Sequence, residues 1–288
     1  DGKIHVSKDG GVSWQLISGN LPQNLWVSRV VASSHKKERV YVTLNGYRND
    51  IFESYAFVSE DFGTTWTSIS NGLKQAVNVI VEDSANENIL YVGTDNGLFI
   101  SLDKGITWED FSNGMPKVAV HDAVIQTKVK ELIVGTHGRS IYKMDISKVQ
   151  ELTKDVLAKN LHLFKVNDRT KSDRWGTQSY AWGKPSEPSQ TIWFYANADG
   201  IVNISVKNES GLVVHTQKVE AKKGLNSFNF DYSIPKNVAD NWSKKDKNIK
   251  IKEAENKMFY LPIGKYKMTI SKDKASESKS FEILNPKK

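Results

Sequence analysis

The sequence predicts an all-β protein made of a partial β-propeller with four-stranded blades, followed by a small β-sandwich. Two observations lead to this prediction. The first half of the 288-residue chain carries three copies of one eight-residue phrase, and a phrase repeated along a chain indicates a repeat architecture. The second half carries short apolar runs of alternating polarity, separated by turn signals and without the phrase, which is typical of a sandwich.

The repeated phrase is Ser-x-Asp-x-Gly-x-(Ser/Thr)-Trp, and it occupies residues 7–14, 59–66 and 101–108. An Asp in a turn accepts backbone N–H bonds, a Gly adopts positive φ, and we expect the Trp to return into the core. These roles account for every fixed position without a ligand. We therefore predict structural roles for Asp9, Trp14, Asp61, Trp66, Asp103 and Trp108.

The segments around the third copy show the clearest strand pattern. Short β-branched and aromatic runs, broken by Asp, Asn and Gly, cover residues 77–82, 89–94, 97–101 and 107–111. They predict four antiparallel strands, with the phrase at the hairpin between the third and fourth. The spacing from Asp61 to Asp103 falls within the roughly 40–45 residues of a propeller blade. The longer spacing from Asp9 to Asp61 places its extra residues in the loop 45–55.

The strand pattern also predicts that the propeller is incomplete. The chain opens with a third and a fourth strand, continues with two full blades near residues 27–70 and 77–112, and ends with three strands between residues 121 and 146. Such a set cannot close a ring, and open blade edges invite association. We therefore expect a C-terminal fragment of a larger protein, with the missing N-terminal propeller portion or another chain at the open edges.

The phrase resembles the Asp-box, or BNR repeat, of sialidases, sortilin-type domains and xyloglucanase-type hydrolases, in which the box lies at the blade periphery and is not catalytic. The resemblance narrows to the C-terminal end of large bacterial sortilin-like BNR proteins, often labelled glycosyl hydrolase, and it covers residues 1–165 and, more loosely, the rest. The stretches that carry it are Trp26-Val-Ser-Arg29, residues 41–48, Leu90-Tyr-Val-Gly-Thr-Asp95 and residues 134–142. It implies a secreted bacterial protein of the extracellular space or cell envelope.

Three segments divide the chain: propeller blades at 1–147, a helix and connector at 148–190, and a sandwich at 191–288. The pattern of residues 148–158 predicts a helix, the one convincing helix in the sequence. The connector after it is predicted to be ordered, because exposing all three of its large aromatic side chains, Trp175, Tyr180 and Trp182, would be unusual. The strand spacing from residue 191 predicts an immunoglobulin-like sandwich. Residues 224–231 and 261–270 resemble the immunoglobulin-like domain of the same bacterial family, and the Lys-rich residues 236–257 predict a surface insertion.

Composition limits the classes of function. No apolar run is long enough to span a membrane, and cysteine is absent, so disulfide and thiol chemistry are excluded. Residues 1–150 carry a net charge of −2 and residues 151–288 one of +9, which add up to the chain's +7. A basic second half favours an anionic glycan, nucleic acid or an acidic partner, or is a solvated Lys-rich surface. No phosphate loop, zinc spacing or recognition helix supports nucleic acid, and we expect no cofactor or metal.

The candidate ligand-binding residues lie on loops that we expect on the face opposite the phrase turns. Aromatic side chains beside Asp, Asn and Arg are what sugar or peptide recognition requires. The predicted set is Trp26, Arg29, Tyr47, Arg48, Asp95, His121, Asp122, His137 and Arg139. Two structural interpretations remain open as alternatives to ligand binding. In one, Arg29 and Asp122 form a buried ion pair between strands. In the other, His137 lies in a turn with its hydrogen bonds satisfied within the protein.

These residues predict a protein that binds an extracellular peptide, protein or glycan. The alternative is the C-terminal part of a BNR-type glycoside hydrolase, which requires two carboxylates on either side of one bond. Asp122, Asp95 and Asp50 are available, with Asp122 the candidate general acid, but no spacing selects a pair. The arginine cluster of sialidases comes with a Phe-Arg-Ile-Pro phrase, which this chain lacks. We therefore assign no catalytic residue within the 288 residues, and leave the enzyme class open.

Overall fold

A computed structural model describes residues 2–112, 114–178, 180, 182–247 and 249–286, and all but a few of its regular elements are β-strands. Contacts divide the chain into two compact units, one ending at Thr153 and the other beginning at Lys154. No helix in the described part of the chain is long and apolar enough to cross a membrane.

The first unit consists of four antiparallel sheets that follow one another along the chain. They contain two, four, four and three strands, the numbers expected from the polarity pattern. The elements are β1 (His5–Val6), β2 (Gln15–Leu16), β3 (Trp26–Ala32), β4 (Val40–Gly46), a 3-10 turn η1 (Tyr47–Asn49), β5 (Ile51–Ser59), β6 (Thr67–Ser68), β7 (Val77–Glu82), β8 (Leu90–Thr94), β9 (Gly97–Ser101), β10 (Glu109–Asp110), β11 (Val120–Gln126), β12 (Glu131–Thr136), β13 (Ile141–Asp145) and α1 (Ser147–Gln150).

The phrase forms the same hydrogen-bonded turn at each copy. In the second copy, Asp61 Oδ1 accepts the backbone N–H of Thr65 at 2.9 Å, Asp61 Oδ2 accepts the Thr65 hydroxyl at 2.7 Å, and Gly63 donates its N–H to Ser59 Oγ. Gly63 has φ of 83°, a conformation that favours glycine. Asp9 and Asp103 accept the same pair of bonds from the residue four positions later.

Hydrophobic cores lie between successive sheets of the first unit. Ile17 of the first sheet packs with Val42 and Leu44 of the second, and Ile69 packs with Ile80 and Val92 of the third. β7 also contacts both β3 and β11, so the first strands of three sheets lie side by side.

The tryptophans of the phrase correct one expectation, because they do not all return into a core. Trp66 and Trp108 are half-buried between sheets, whereas Trp14 is 65% exposed. Trp66 Nε1 donates to the carbonyl of Ile17 at 2.9 Å, and Trp108 Nε1 donates to that of Ile69 at 2.7 Å. The indole therefore links its own turn to the preceding sheet.

A buried arginine joins the second and third sheets. Arg39 is 1% exposed, and its guanidinium contacts the carboxylates of Glu60 at 2.7 Å, Glu82 at 3.1 Å and Glu87 at 3.0 Å. The Tyr41 hydroxyl donates to Glu82 at 3.0 Å, and burial raises the pKa of Tyr41. One cation thus offsets the charge of carboxylates from two neighbouring sheets.

The second unit has a five-stranded and a three-stranded sheet that share one hydrophobic core, to which Phe194 and Phe230 contribute from one sheet and Val206, Ile270 and Phe281 from the other. The elements are α2 (Lys154–Leu157), β14 (Leu161–Leu163), β15 (Arg169–Thr170), β16 (Gln190–Ala196), β17 (Gly200–Asn208), β18 (Val213–Ala221), β19 (Gly224–Phe230), β20 (Ser233–Ile234), α3 (Lys236–Lys245), β21 (Phe259–Tyr260), β22 (Gly264–Lys272) and β23 (Ala275–Leu284). The sheet orders are β14-β16-β19 and β15-β23-β22-β17-β18, and β20 pairs with β21.

The region predicted as helix and connector differs from the expectation. The single helix over 148–158 is instead two short helices, α1 and α2, because the chain turns between them, with the Leu152 N–H donating to the Val149 carbonyl. β14 pairs with β16, and β15 pairs with β23, so strands within 148–190 belong to the sheets of the second unit. Trp175 is buried against Tyr232, but Tyr180 and Trp182 are exposed.

The predicted surface insertion at 236–257 is also partly wrong. Its first half is the helix α3, on which Ala239 and Trp242 are buried in the core of the second unit. The many lysines of this segment disguised the two apolar positions, which lie three residues apart on one helix face.

Candidate functional site

A β-bulge recurs at the same place in the first strand of three successive sheets. The register shifts between Val27 and Arg29 in β3, between Val77 and Val79 in β7, and between Val120 and Asp122 in β11. A bulge redirects the extra residue and is common beside functional sites. The residues at the three bulges are Ser28, Asn78 and His121.

The ends of the second strands supply an equivalent second set. Asn45, near the end of β4, pairs with Trp26 at the start of β3. In the next two sheets, the backbone N–H of Asp95 donates to Ala76 at 3.2 Å and that of His137 donates to Ala119 at 2.9 Å. Asn45, Asp95 and His137 therefore occupy corresponding positions in three consecutive sheets.

These two sets converge on one cavity of about 440 Å³ in the first unit. Because each sheet contributes the same positions with different side chains, the cavity combines amides, a carboxylate and imidazoles around a pseudo-symmetric frame. The lining residues are Trp26, Ser28, Asn45, Tyr47, Arg48, Asn78, Asp95, Ala119, His121 and His137.

A row of hydrogen bonds crosses the cavity from sheet to sheet. Asn45 Nδ2 donates to Asn78 Oδ1 at 3.0 Å, and Asn78 Nδ2 donates to Asp95 Oδ1 at 2.8 Å. Ser28 Oγ donates to the Val77 carbonyl at 3.0 Å. The row orients both amides and one oxygen of the carboxylate before a ligand binds. Because these side chains are already ordered, binding loses less conformational entropy.

The aromatic side of the cavity is held by the turn η1. Tyr47 donates its backbone N–H to Asn45 Oδ1 at 2.8 Å, and Asn49 Nδ2 donates to the Asn24 carbonyl at 2.8 Å. The Arg48 guanidinium lies 5.5 Å from the centroid of the Trp26 ring, within cation–π range. Trp26 and Tyr47 remain exposed, so their ring faces are accessible from solvent.

Two imidazoles also line the cavity. The rings of His121 and His137 lie 5.2 Å apart between centroids, tilted by 36°. Together with Asp95, they add donors and acceptors to the lining of the cavity.

Six of the nine predicted ligand-binding residues line this cavity: Trp26, Tyr47, Arg48, Asp95, His121 and His137. Arg29 and Asp122 do not. They form an ion pair at 2.5 Å, and with 36% and 66% of their side chains exposed the pair is not the buried one considered above. Arg139 is exposed and lies outside the lining.

Sequence reasoning missed the bulge residues Ser28 and Asn78. Each is the extra residue of its bulge, as His121 is in β11. Counted from the Asp of the preceding phrase, Ser28, Asn78 and His121 lie 19, 17 and 18 residues on, and this similar spacing is the one signal in the sequence that relates the first two to His121.

The chemistry available to the cavity is recognition through hydrogen bonds and ring stacking. Asp95 is the one carboxylate among the lining residues that the structure describes. Hydrolysis of a glycosidic bond by two carboxylates requires a second one on the other side of the bond. Asp122, the candidate general acid, contacts Arg29 outside the lining.

A larger cavity, of about 640 Å³, lies in the second unit beside Trp242 and Tyr266. Its charged lining residues are of both signs: Glu209, Lys245, Asp246 and Lys265. Its larger volume alone does not make it the better candidate, because the row of oriented amides and carboxylate described above belongs to the cavity of the first unit.

No protein-family model matches the chain, and no curated protein matches it. Among solved structures, it is similar to an ancestral GH74 enzyme, at 13% identity and a TM-score of 0.40, over 76% of this chain and 30% of that one. It is also similar to PorZ, a surface component of the type-IX secretion system of Porphyromonas gingivalis, at 14% identity and a TM-score of 0.32, over 94% and 40%. The chain spans less than half the length of either structure.

Proposed function

We propose that the cavity of the first unit binds a glycan and that the protein is a recognition protein of the Asp-box, sortilin-like propeller type. The observation that carries the proposal is the row Asn45–Asn78–Asp95 beside the exposed ring of Trp26. A pyranose has a flat C–H face that stacks on an aromatic ring and hydroxyls that both donate and accept hydrogen bonds.

The row Asn45–Asn78–Asp95 suits the neutral hydroxyls of a sugar. The two amides offer donors and acceptors, and the Asp95 carboxylate accepts from an O–H. A volume of about 440 Å³ lies in the range of small-ligand sites, roughly 300–1,000 Å³. We propose one or two sugar residues as the part of the glycan that enters.

The propeller assignment rests on sheet order and turn chemistry. Consecutive antiparallel sheets place their first strands side by side, and the repeated phrase closes the turn between the outer strands. We propose that the three sheets around the cavity are blades and that the two sheets of the second unit are an immunoglobulin-like sandwich. On this proposal the protein acts outside the bacterial cell, as the sequence resemblance implies.

The test is binding of neutral oligosaccharides on an array, followed by titration of the best hit. Asp95→Asn and Trp26→Ala should each weaken binding by about 10- to 100-fold, the loss expected for a charge-assisted hydrogen bond or a stacked ring. Asp122→Asn serves as the matched control, because Asp122 is a neighbouring carboxylate outside the lining. The affinity of this variant for the oligosaccharide should equal that of the original chain.

Two outcomes would contradict the proposal. Binding of peptides but not of oligosaccharides, with the same sensitivity to Asp95→Asn, would make the ligand a peptide. Turnover of a polysaccharide that is lost in a folded Asp122→Asn variant would establish the hydrolase instead.

A further inference from the structure

The repeated turns contact one another in a fixed way. Trp66 donates its indole N–H to the carbonyl of Ile17, and Trp108 donates to that of Ile69. Ile17 and Ile69 each lie three residues after the tryptophan of their own turn. In both cases, therefore, the tryptophan of one turn binds the strand end that follows the turn before it.

The glycine of the turn contacts the same isoleucine. A methyl group on Gly63 would lie 2.5 Å from Ile17 Cδ1, and one on Gly105 would lie 2.9 Å from Ile69 Cβ. Such distances are too short for any side chain beyond hydrogen. Gly and Trp thus form a socket that fits an isoleucine and its carbonyl.

In the first turn, no described residue occupies the corresponding socket. Among the described residues, a methyl group on Gly11 would meet the ring of Trp14 alone, at 3.9 Å, and Trp14 Nε1 donates to the carbonyl of Gly11 within its own turn. Trp14 is 65% exposed and Leu16, two residues on, is 50% exposed. The corresponding residues after Trp66 and Trp108 are polar, Ser68 and Asp110.

We propose that Gly11, Trp14 and Leu16 form a docking surface for one further repeat of this kind, carried by polypeptide outside these 288 residues. The occupant presents a strand end with an isoleucine whose carbonyl accepts the Trp14 indole N–H. The two occupied sockets within the same unit define this chemistry, and the exposed Leu16 adds an apolar contact that they lack.

A second copy of this chain suits the surface less well. In each copy, the carbonyl of Ile17 already accepts the Trp66 indole N–H, and the carbonyl of Ile69 already accepts that of Trp108. The third corresponding position is Phe111, a larger residue than the isoleucine that the glycine socket fits.

The test extends the chain with its own repeat. A duplicate of residues 26–94 is joined before residue 1, a junction that keeps the register because Asp95 and Asp1 lie at the same distance before their phrases. This extension places the duplicated Ile69 next to Trp14. Indole N–H exchange is followed by NMR on the isotope-labelled protein, with Trp66 and Trp108 as internal references.

We expect the Trp14 indole N–H to exchange at least about tenfold more slowly in the extended chain than in the original one. The matched control, Ile69→Gly in the duplicate alone, should remove that protection. A folded extension with Trp14 unprotected would overturn the proposal, and so would an extension that stays unfolded, because a surface shaped for a repeat should order one. Protection of Trp14 in the original chain that rises with concentration, with a doubled mass, would assign the surface to a second copy.

A second measurement does not depend on the extension. In the original chain, Trp14→Phe should leave the melting temperature unchanged, whereas Trp66→Phe and Trp108→Phe should lower it, since only these two lose a bond to another sheet. An equal loss for all three would show that Trp14 already has a structural partner and would refute the proposal.

Discussion

At the residue scale, the carboxylates of the repeated turns act as acceptors for the backbone around them. Asp61 accepts the N–H and the hydroxyl of Thr65 and the hydroxyl of Ser59, and these bonds lower its pKa to about 2. Bonds from the Ser13 hydroxyl and N–H likewise lower the pKa of Asp9 to about 2. The ionised form of each Asp therefore stabilises its turn.

We predict that acid weakens the first unit through these groups. A carboxyl whose folded pKa is below its unfolded value, about 3.9, stabilises the fold fully above that value and loses the contribution as pH falls towards the folded pKa. The urea midpoint should therefore fall between about pH 4 and pH 2. Asp61→Asn should start from a lower midpoint and lose less across this window. If the variant and the original chain lose equally, Asp61 does not contribute.

At the scale of elements, Arg39 shows how neighbouring sheets are joined. Its guanidinium contacts three carboxylates, of which Glu82 has a side chain 2% exposed. A buried carboxylate that loses its only nearby cation is strongly unfavourable. Arg29, by contrast, pairs with an exposed carboxylate, that of Asp122.

We predict that Arg39→Met lowers the free energy of unfolding by about 3–5 kcal/mol, because Glu82 is left buried without its cation. The matched control is Arg29→Met, for which an exposed pair predicts a loss of about 0–1 kcal/mol. Urea denaturation of the three proteins measures both values. Similar losses for the two variants would show that burial of the Arg39 cluster contributes nothing.

At the scale of the whole molecule, the second unit has a core of its own. Its buried cluster runs from Leu161 to Ile283, and both sheets and α3 contribute to it. Cores of this kind let a unit fold independently. The candidate glycan cavity belongs to the first unit alone.

We therefore predict that residues 154–288 fold by themselves, with cooperative thermal unfolding near one of the transitions of the full chain. Calorimetry and circular dichroism of this piece check the expectation, and a core substitution, Phe194→Ala, should lower its melting temperature. A piece that is unfolded while the full chain is folded would show that the second unit depends on the first.

Much of the strand content could be predicted from the sequence because strands follow local rules. Alternating β-branched residues and turn signals predicted the strands on both sides of the phrase. Loops that combine polar and aromatic residues predicted the cavity residues Trp26, Asp95, His121 and His137. The prediction of one helix over 148–158 was wrong, because the formation of helices of four to ten residues depends more on packing than on the sequence pattern. The burial of Trp242 was not predicted, because lysines surround it in the sequence.

By itself, the sequence determined the repeated turn, its hydrogen-bonding residues and the strands beside it, since each rests on contacts within a few positions. Only the tertiary structure decided which side chains meet. The bulges at Ser28, Asn78 and His121 turn residues from three sheets into one cavity, and the neighbouring positions Arg29 and Asp122 pair outside it. The reason is physical: a one-residue bulge changes the direction of a side chain without changing the polarity pattern that predicts the strand.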